Sequence, residues 1–263
     1  MMNTTTGLGA IWVIPAFALA WAWARKINNY SLVDALWAYA IGITAVSWLA
    51  FGEGDPWKRL AAACMVAFWS LRLGWHLQRR IQHLHPQEDA RYAKLREHWA
   101  GREAGAFFWF YQSQALSVLL LALPFLFIAR DRSTWSPWES AGIALALCGI
   151  FGEALADHQM SAFKKSNTDA KAVCRNGLWS WSRHPNYFFE SVIWIGFYVF
   201  ACGSTYGWAA LHAPVTIIYL LLRVTGIPAT EASALARKGE AYREYQRSTS
   251  AFIPLPPKSA SHP

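Results

Sequence analysis

Residues 106–128 read AFFWFYQSQALSVLLLALPFLFI, which is 23 consecutive residues without Asp, Glu, Lys or Arg. A helix needs about 20 mostly apolar residues to cross the hydrocarbon core of a bilayer. This stretch is long enough and apolar enough to do so. It predicts a transmembrane helix and directs the interpretation of the rest of the chain.

Six further stretches outside this run have a similar length and composition. They are residues 7–24, 31–51, 60–78, 138–158, 186–202 and 206–226. Together the seven stretches predict an all-α, polytopic membrane protein with about seven transmembrane helices. The leader Met1–Thr6 carries no positive charge, so a cleaved signal peptide is the less favoured interpretation of the first stretch.

The overall composition agrees with a chain embedded in a membrane. Hydrophobic residues make up 54% of the 263 residues and charged residues only 15%, whereas an ordinary soluble domain has about 25% charged residues. Such a composition excludes intrinsic disorder, which requires few apolar and many charged groups. It also argues against a soluble enzyme.

Basic residues are distributed unevenly between the two sides of the predicted membrane. Seven spans place the loops 50–59, 129–137 and 203–205 on one side with 4 Lys and Arg, and the other loops on the opposite side with 18. Cytoplasmic loops carry an excess of Lys and Arg, so we predict an outward N-terminus and a cytoplasmic C-terminus. On the cytoplasmic side, segments 88–103 and 229–248 mix charges with regularly spaced apolar residues and predict amphipathic helices at the membrane surface.

The net charge of +8 does not indicate nucleic-acid binding, because no matching motif accompanies it. Basic loops between apolar runs are typical of membrane orientation and contact with anionic lipid. We therefore expect membrane lipid, and no nucleic acid, among the partners. The cysteines are too scattered to predict a metal site or a disulfide framework, and packing is their expected role. They are Cys64, Cys148, Cys174 and Cys202.

Charged residues inside the predicted spans indicate a polar cavity open to the cytoplasm, since such residues seldom face lipid. Arg72 and His76 share one face of the third span, and Glu153, Asp157 and Lys164 share one face of the fifth. The other polar residues of this kind are Asp34, Asn186, Glu190 and Arg223. The alternative is that these side chains pair with one another or extend to the interface.

Residues 176–190, NGLWSWSRHPNYFFE, form the most distinctive local pattern. Asn176-Gly177 predicts a turn, and Pro185 suits the first turn of a helix. Arg183, His184, Asn186 and Tyr187 then lie together at the start of that helix, where free backbone N–H groups favour an anion. The segment fits a cofactor site and, equally well, a simple membrane anchor.

The run GLWSWSRHPNYFFESVIWIG (177–196) resembles the C-terminal signature of the steroid 5-alpha-reductase family, and in particular its bacterial branch. SLVDALW (31–37), EDARY (88–92), GEAYREY (239–245) and FIP (252–254) extend the resemblance over nearly the whole chain. The resemblance implies a seven-helix enzyme of the bacterial inner membrane. In such an enzyme NADPH delivers hydride to the β-carbon of an enone, while an acid polarises the carbonyl.

The same resemblance implies a single reductase-like domain over 1–263, with substrate-side helices in 1–105 and a cofactor-binding part in 106–263. Asp157 resembles the family's cofactor-binding aspartate, and Asn186 and Tyr187 match its Asn-Tyr pair beside the nicotinamide. Arg237 is a further candidate for the 2′-phosphate, alongside Lys164, Arg175 and Arg183. The complete set of predicted cofactor residues is Glu153, Asp157, Lys164, Arg175, Arg183, His184, Asn186, Tyr187, Glu190, Arg223, Glu231, Tyr242 and Tyr245.

The chain departs from the steroid enzymes at the groups that hold the steroid ketone. It lacks the Gln-Glu pair of their second span and the Tyr of their third. We expect Asp34 or Tyr39 in place of the glutamate, and Arg72 or His76 in place of the tyrosine. These four residues are the predicted catalytic groups, with a protonated Asp34 as the alternative acid. The expected substrate is an apolar, lipid-like enone.

A second resemblance leads to a different class of enzyme. Isoprenylcysteine carboxyl methyltransferases also read R-H-P-x-Y, as in Arg183–Tyr187, followed by a glutamate matched by Glu231. They close with tyrosines and Ile-Pro that Tyr242, Tyr245 and residues 253–254 match. S-adenosylmethionine would then be the cofactor. Asp157, the Asn-Tyr pair and the S-L-V-D opening favour the reductase, and a membrane protein that binds neither cofactor is a third interpretation.

Overall fold

The structure is a computed structural model that describes residues 10–169 and 171–258. Its helices are α1 (Val13–Lys26), α2 (Leu32–Phe51), α3 (Pro56–Leu84), α4 (Ala90–His98), α5 (Glu103–Arg130), α6 (Pro137–Ser166), α7 (Leu178–Trp181), α8 (Pro185–Ala201), α9 (His212–Tyr219), α10 (Ile227–Lys238) and α11 (Glu240–Ser248). A 3₁₀ turn, Gly207–Leu211, precedes α9, and a π-helical segment, Leu220–Val224, follows it. The all-α prediction is confirmed over these residues, and the predicted leader Met1–Thr6 lies outside them.

Within the described residues, five helical segments are long and apolar enough to cross a membrane, as expected of a multi-pass integral membrane protein. They are α2, α3, α5, α6 and the helical series Gly207–Lys238, which bends at residues 225–226. These five segments correspond to five of the predicted spans. The predicted spans 7–24 and 186–202 correspond to α1, with 14 residues, and α8, with 17. Neither belongs to the five, so the count of seven stays a prediction, as do the orientation and the bacterial inner membrane.

The chain divides into two compact units. The first contains the described residues up to Ser140 together with Tyr198–Ala213, and the second contains Ala141–Phe197 and the described residues from Pro214 onward. Every predicted catalytic residue lies in the first unit, and every predicted cofactor residue lies in the second. The prediction of one domain divided between residues 105 and 106 stays a prediction.

In the first unit, α2 packs against α3 and α5 through small residues. A Cβ at Gly42 would clash with Ser70, and a Cβ at Gly74 would clash with the ring of Tyr39. Small residues let membrane helices approach closely. A hydrogen bond from Trp37 Nε1 to the Oγ atom of Ser117 on α5, at 2.8 Å, adds a polar link between α2 and α5.

A buried ion cluster in the first unit joins the first turns of α3 and α6 to the loop that follows α5. Lys58 Nζ lies 2.7 Å from Glu139 Oε1 and 3.1 Å from Asp131 Oδ2. It also donates to Ser133 Oγ at 2.9 Å and to the carbonyl of Gly203 at 3.0 Å. We call Lys58, Asp131 and Glu139 the Lys58 knot. Lys58, Asp131 and Gly203 come from the predicted loops 50–59, 129–137 and 203–205, and the side of the membrane on which these loops lie stays a prediction.

The two predicted surface helices are shorter than expected. Segment 88–103 forms only α4, because residues 99–102 turn through Gly101 at φ +80°. Segment 229–248 is divided between α10 and α11 by Gly239 at φ +57°. Glycine adopts positive φ without the steric penalty of other residues, so each glycine allows the chain to leave the helix there.

In the second unit, α6 and α8 also pack through glycines. A Cβ at Gly152 would meet the ring of Phe189, and a Cβ at Gly149 would meet Ile193. The C-terminal tail packs beside α7, since the Leu255 N–H donates to the carbonyl of Trp181 at 3.0 Å. The second unit therefore brings α6, α7, α8 and the C-terminal segment together.

Candidate functional site

A charged cluster in the second unit forms where the chain enters α8. Arg183 Nε donates to Glu231 Oε1 at 2.6 Å, and His184 Nε2 lies 3.3 Å from the same oxygen. Gln246 Nε2 donates to Glu231 Oε2 at 2.8 Å. We call Arg183, His184, Glu231 and Gln246 the Glu231 cluster. It links the start of α8 to α10 and α11.

Arg183 also fixes the C-terminal segment. Its backbone N–H donates to the carbonyl of Ser250 at 2.8 Å, and its Nη1 donates to the carbonyls of Gln246 and Thr249. The hydroxyl of Tyr245 donates to the carbonyls of Trp179 and Ser182. Arg183 and Tyr245, both predicted cofactor residues, thus hold α11 and the tail in place.

The phenols of this segment remain protonated at neutral pH. Burial, and after it the neighbouring Glu231 carboxylate, raises the pKa of Tyr242 to about 12. Burial likewise raises the pKa of Tyr245 above its ordinary value. Both phenols therefore stay neutral, and the Tyr245 hydroxyl acts as a hydrogen-bond donor.

His184 and Tyr187 are held in fixed orientations. Their rings stack with centroids 5.3 Å apart and an angle of 5° between the planes. The Tyr187 hydroxyl lies 3.1 Å from Thr230 Oγ1, next to Glu231 in sequence. Thr230 and Gln246 were not predicted as site residues, because only the tertiary contact with α8 and Glu231 gives them a role.

Asn186 presents a buried acceptor in the first turn of α8. Its Oδ1 atom is buried and accepts no hydrogen bond within the part of the chain that the structure describes. A buried polar atom without a partner is unfavourable by about 1–3 kcal/mol. Glu190, one turn further along α8, accepts a hydrogen bond from Trp194 Nε1 at 2.9 Å. Asn186 therefore offers a buried acceptor that a donor group of a ligand could use.

The polar face of α6 leads to a basic cleft. Glu153 is buried and Asp157 half-buried, and Lys164 lies about 10 Å further along the helix than Asp157, at 1.5 Å per residue. Lys164 lines a cleft of about 460 Å³ together with Arg237 and Lys238. The cleft is completed by Phe163, Asn167, Thr168, Asp169 and Ala172. We call this volume the basic cleft, since three cations surround it with one carboxylate.

The structure places two other predicted cofactor residues elsewhere in the second unit. Arg175 Nη2 lies 3.4 Å from Glu244 Oε2, and its guanidinium lies 5.6 Å from the ring of Tyr245. Arg175 therefore contacts α11. Arg223 lies exposed in the π-helical segment. Neither residue lines the basic cleft.

Among the predicted catalytic residues, Asp34 belongs to a network of charges in the first unit. Arg91 Nη2 donates to Asp34 Oδ2 at 2.6 Å, and the Tyr92 hydroxyl donates to Oδ1. Arg91 also pairs with Asp89, which pairs with Arg80. Burial alone would raise the pKa of Asp89, but Arg91 and Arg80 outweigh it and hold that pKa below its ordinary value.

This network joins the S-L-V-D and E-D-A-R-Y motifs, 57 residues apart at Asp34 and Arg91. Both oxygens of Asp34 are engaged as acceptors, a geometry that favours a positioning role over that of proton donor. The Tyr39 hydroxyl donates to Gln78 Oε1 at 3.0 Å. Arg72 and His76 are half-buried one turn apart on α3, as the spacing predicted.

The fold and the site define a class: an all-helical, multi-pass membrane protein with buried polar clusters. The chain belongs to the family described as "Protein of unknown function (DUF1295)", which matches residues 20–249. This family is steroid 5-alpha-reductase-like in general, so the predicted relation is confirmed at that level.

The chain is also similar in sequence to a protein of a eukaryote. The "Uncharacterized protein C594.04c" of Schizosaccharomyces pombe is 26% identical over 262 residues, covering 89% of this chain and 75% of the relative. No solved structure matches the chain. Within residues 10–169 and 171–258, no group of three His, Cys, Asp or Glu side chains could hold a metal ion.

Proposed function

We propose that the protein is an NADPH-dependent membrane reductase that saturates the C=C bond of an apolar, lipid-like enone. The observation that carries the proposal is the basic cleft, which gathers Lys164, Arg237 and Lys238 on the same unit as the predicted cofactor residues. The substrate class follows from the family resemblance and from the membrane-spanning helices.

The charge of the cleft favours a dinucleotide phosphate. Arg and Lys recognise phosphate oxygens by charge-assisted hydrogen bonds. NADPH carries a diphosphate and a 2′-phosphate, whereas S-adenosylmethionine carries no phosphate and a positive sulfonium. Three cations beside one carboxylate, Asp169, therefore fit NADPH better than the methyl donor, and they distinguish NADPH from NADH through the 2′-phosphate.

The acceptor on α8 fits the other end of the cofactor. A nicotinamide carries a carboxamide whose N–H groups are donors, and Asn186 Oδ1 is a buried acceptor without a described donor. Tyr187 and His184, fixed by Thr230 and Glu231, orient the turn on which Asn186 lies. The residues present thus suit the cofactor that the resemblance implies.

When bound, NADPH supplies a hydride for the β-carbon of the enone, and a proton added at the α-carbon completes the saturated product with release of NADP⁺. The protein's part is to bind, to orient and to polarise the carbonyl. Arg72 and His76 stay proposed for that last role. Asp34 and Tyr39 are less suited to it, since their polar atoms engage Arg91, Tyr92 and Gln78.

The test is titration of the purified protein with NADPH and NADH, comparing Lys164→Ala and Arg237→Ala with the wild type. Each substitution is expected to weaken NADPH binding about tenfold or more, as loss of one charge-assisted hydrogen bond does, with a smaller effect on NADH. Lys171→Ala is the matched control, because Lys171 is exposed beside the cleft without lining it. Equal binding of NADPH by all three variants and the wild type would contradict the proposal.

A membrane methyltransferase is the second candidate, and the Glu231 cluster is the observation that favours it. Arg183, His184, Glu231 and Tyr245, which carry the methyltransferase resemblance, lie together around the start of α8. If the protein is a methyltransferase, it should bind S-adenosylmethionine, and Lys164→Ala should leave that binding unchanged. This candidate also predicts no binding of NADPH.

A further inference from the structure

A groove of about 590 Å³ runs along the first turns of α5 in the first unit. Its lining includes Trp99, Arg102, Gly105, Trp109, Phe110 and Ser113. Positions 105, 109 and 113 recur at helical spacing, so they lie on one face of α5, and Arg102 immediately precedes the helix. From Arg102 to Ser113 the groove extends about 16 Å, at 1.5 Å per residue.

With α5 centred in a bilayer, the groove would extend from the headgroup layer into the hydrocarbon. Helix α5 has 28 residues, which gives a length of about 42 Å against a hydrocarbon core of about 30 Å. A centred α5 therefore places Arg102 among the lipid headgroups and Ser113 in the hydrocarbon. Trp99 and Trp109 lie where the aromatic belt of a membrane protein is expected.

Arg102 brings an unmatched positive charge to the headgroup end of the groove. Its side chain is exposed, and no carboxylate of the described residues lies within 4.0 Å of it. The neighbouring acid, Glu103, is instead 3.7 Å from Arg96. A basic residue at this depth attracts anionic lipid.

The walls and floor of the groove are apolar and open. Trp109 is 72% exposed, and Trp99 is fixed by an edge contact with the ring of Phe107 and a tilted contact with the ring of Phe110. A Cβ placed on Gly105 would meet nothing within 4 Å. The glycine therefore leaves space along the helix where a hydrocarbon chain can lie.

We infer that this α5 groove binds one anionic phospholipid of the surrounding leaflet. The phosphate pairs with Arg102, and one acyl chain lies over Gly105 between Trp109 and Ser113. A zwitterionic lipid is a poorer occupant, because its headgroup adds a positive charge beside Arg102. The inference does not depend on the proposed reductase activity.

The experiment is native mass spectrometry of the delipidated protein in neutral detergent, titrated with phosphatidylglycerol or phosphatidylcholine. The wild type is expected to bind one phosphatidylglycerol in preference to phosphatidylcholine. Arg102→Ala is expected to weaken that binding about fivefold, which corresponds to about 1 kcal/mol per basic residue near the surface. Gly105→Leu is expected to prevent it by filling the groove, and leucine is a better helix former than glycine.

Lys94→Ala is the matched control, since Lys94 is an exposed cation on the neighbouring helix α4 and does not line the groove. It is expected to retain the preference for phosphatidylglycerol. The inference fails if both lipids bind equally, if Lys94→Ala loses as much binding as Arg102→Ala, or if Gly105→Leu still binds as the wild type does.

Discussion

The Lys58 knot and the basic cleft both concentrate charge in an apolar chain, but they differ in what surrounds the charge. Lys58 is fully buried, and four oxygen acceptors lie within 3.1 Å of its ammonium group. In the basic cleft, Lys164, Arg237 and Lys238 surround an open volume. A buried charge depends on its internal partners, so that removing one of them destabilises the fold, whereas like charges around an open volume attract an ion from outside.

The largest expected effect is a loss of stability when the knot loses its cation. Lys58→Met leaves Asp131 and Glu139 buried without their counter-ion, which typically destabilises a protein by about 3–5 kcal/mol. Unfolding in detergent, followed by circular dichroism, measures the loss. Lys164→Met is the matched change in the basic cleft and is expected to alter stability by less than about 0.5 kcal/mol, as at other exposed sites. Equal losses would remove the distinction between the two regions.

Disrupting the Glu231 cluster is expected to cause an intermediate loss of stability. Arg183→Ala removes hydrogen bonds to Glu231 and to two carbonyls, and hydrogen bonds to charged groups contribute about 1.5–3 kcal/mol. Hydrogen exchange should become faster in residues 240–250 before the rest of the protein unfolds. Arg243→Ala, on the exposed face of α11, should leave that exchange unchanged. Unaltered exchange in Arg183→Ala would show that Arg183 does not hold the C-terminal segment.

The knot should also make the protein sensitive to acid. Burial alone would raise the pKa of Asp131, but hydrogen bonds from Ser133, Thr205 and Lys58 outweigh it and lower the pKa. A carboxyl with a lowered folded-state pKa adds stability that is complete above its ordinary value of about 4 and is lost as the pH falls through the folded-state value.

The stability of the wild type is therefore expected to fall on acidification below about pH 4. Asp131→Asn should be less stable at neutral pH and should lose less stability in acid, because it has no carboxylate to protonate. Its neutral-pH loss should be smaller than that of Lys58→Met, since Glu139 still pairs with Lys58. Unfolding measured as a function of pH checks this, and parallel curves for variant and wild type would contradict it.

The smallest expected effect is that of Asp34→Asn, which distinguishes a positioning role of Asp34 from a catalytic one. Asn at this position can still accept from Tyr92 but loses the ion pair with Arg91, a partly exposed pair for which we expect a loss of about 1 kcal/mol. With a positioning role, Asp34→Asn lowers stability slightly and leaves NADPH affinity and the pH profile of turnover unchanged. Loss of turnover without loss of stability would instead indicate that Asp34 is the acid.

The sequence predicted the long helices well because a long apolar run has few alternatives in a membrane protein. Pro185 also predicted the start of α8 correctly, since proline lacks the N–H that a first helical turn leaves unused. The surface helices were predicted too long, because Gly101 and Gly239 interrupt a periodic pattern that otherwise continues.

The ion clusters could not be predicted from the sequence, and the reason is physical. Lys58 appeared to be an ordinary basic loop residue, and its burial depends on Asp131, 73 residues away in the sequence. Asp34 was identified as unusual, but its partner Arg91 was known only as part of a motif. Pairings of this kind follow from how helices pack, which no local pattern specifies.

The most direct test of the central claim is calorimetric titration of the purified wild-type protein in neutral detergent with NADPH, NADH and S-adenosylmethionine. The basic cleft and the free acceptor of Asn186 predict that NADPH binds most tightly, that NADH binds about tenfold or more weakly because it lacks the 2′-phosphate, and that S-adenosylmethionine does not bind. Binding of S-adenosylmethionine without binding of NADPH would contradict the account.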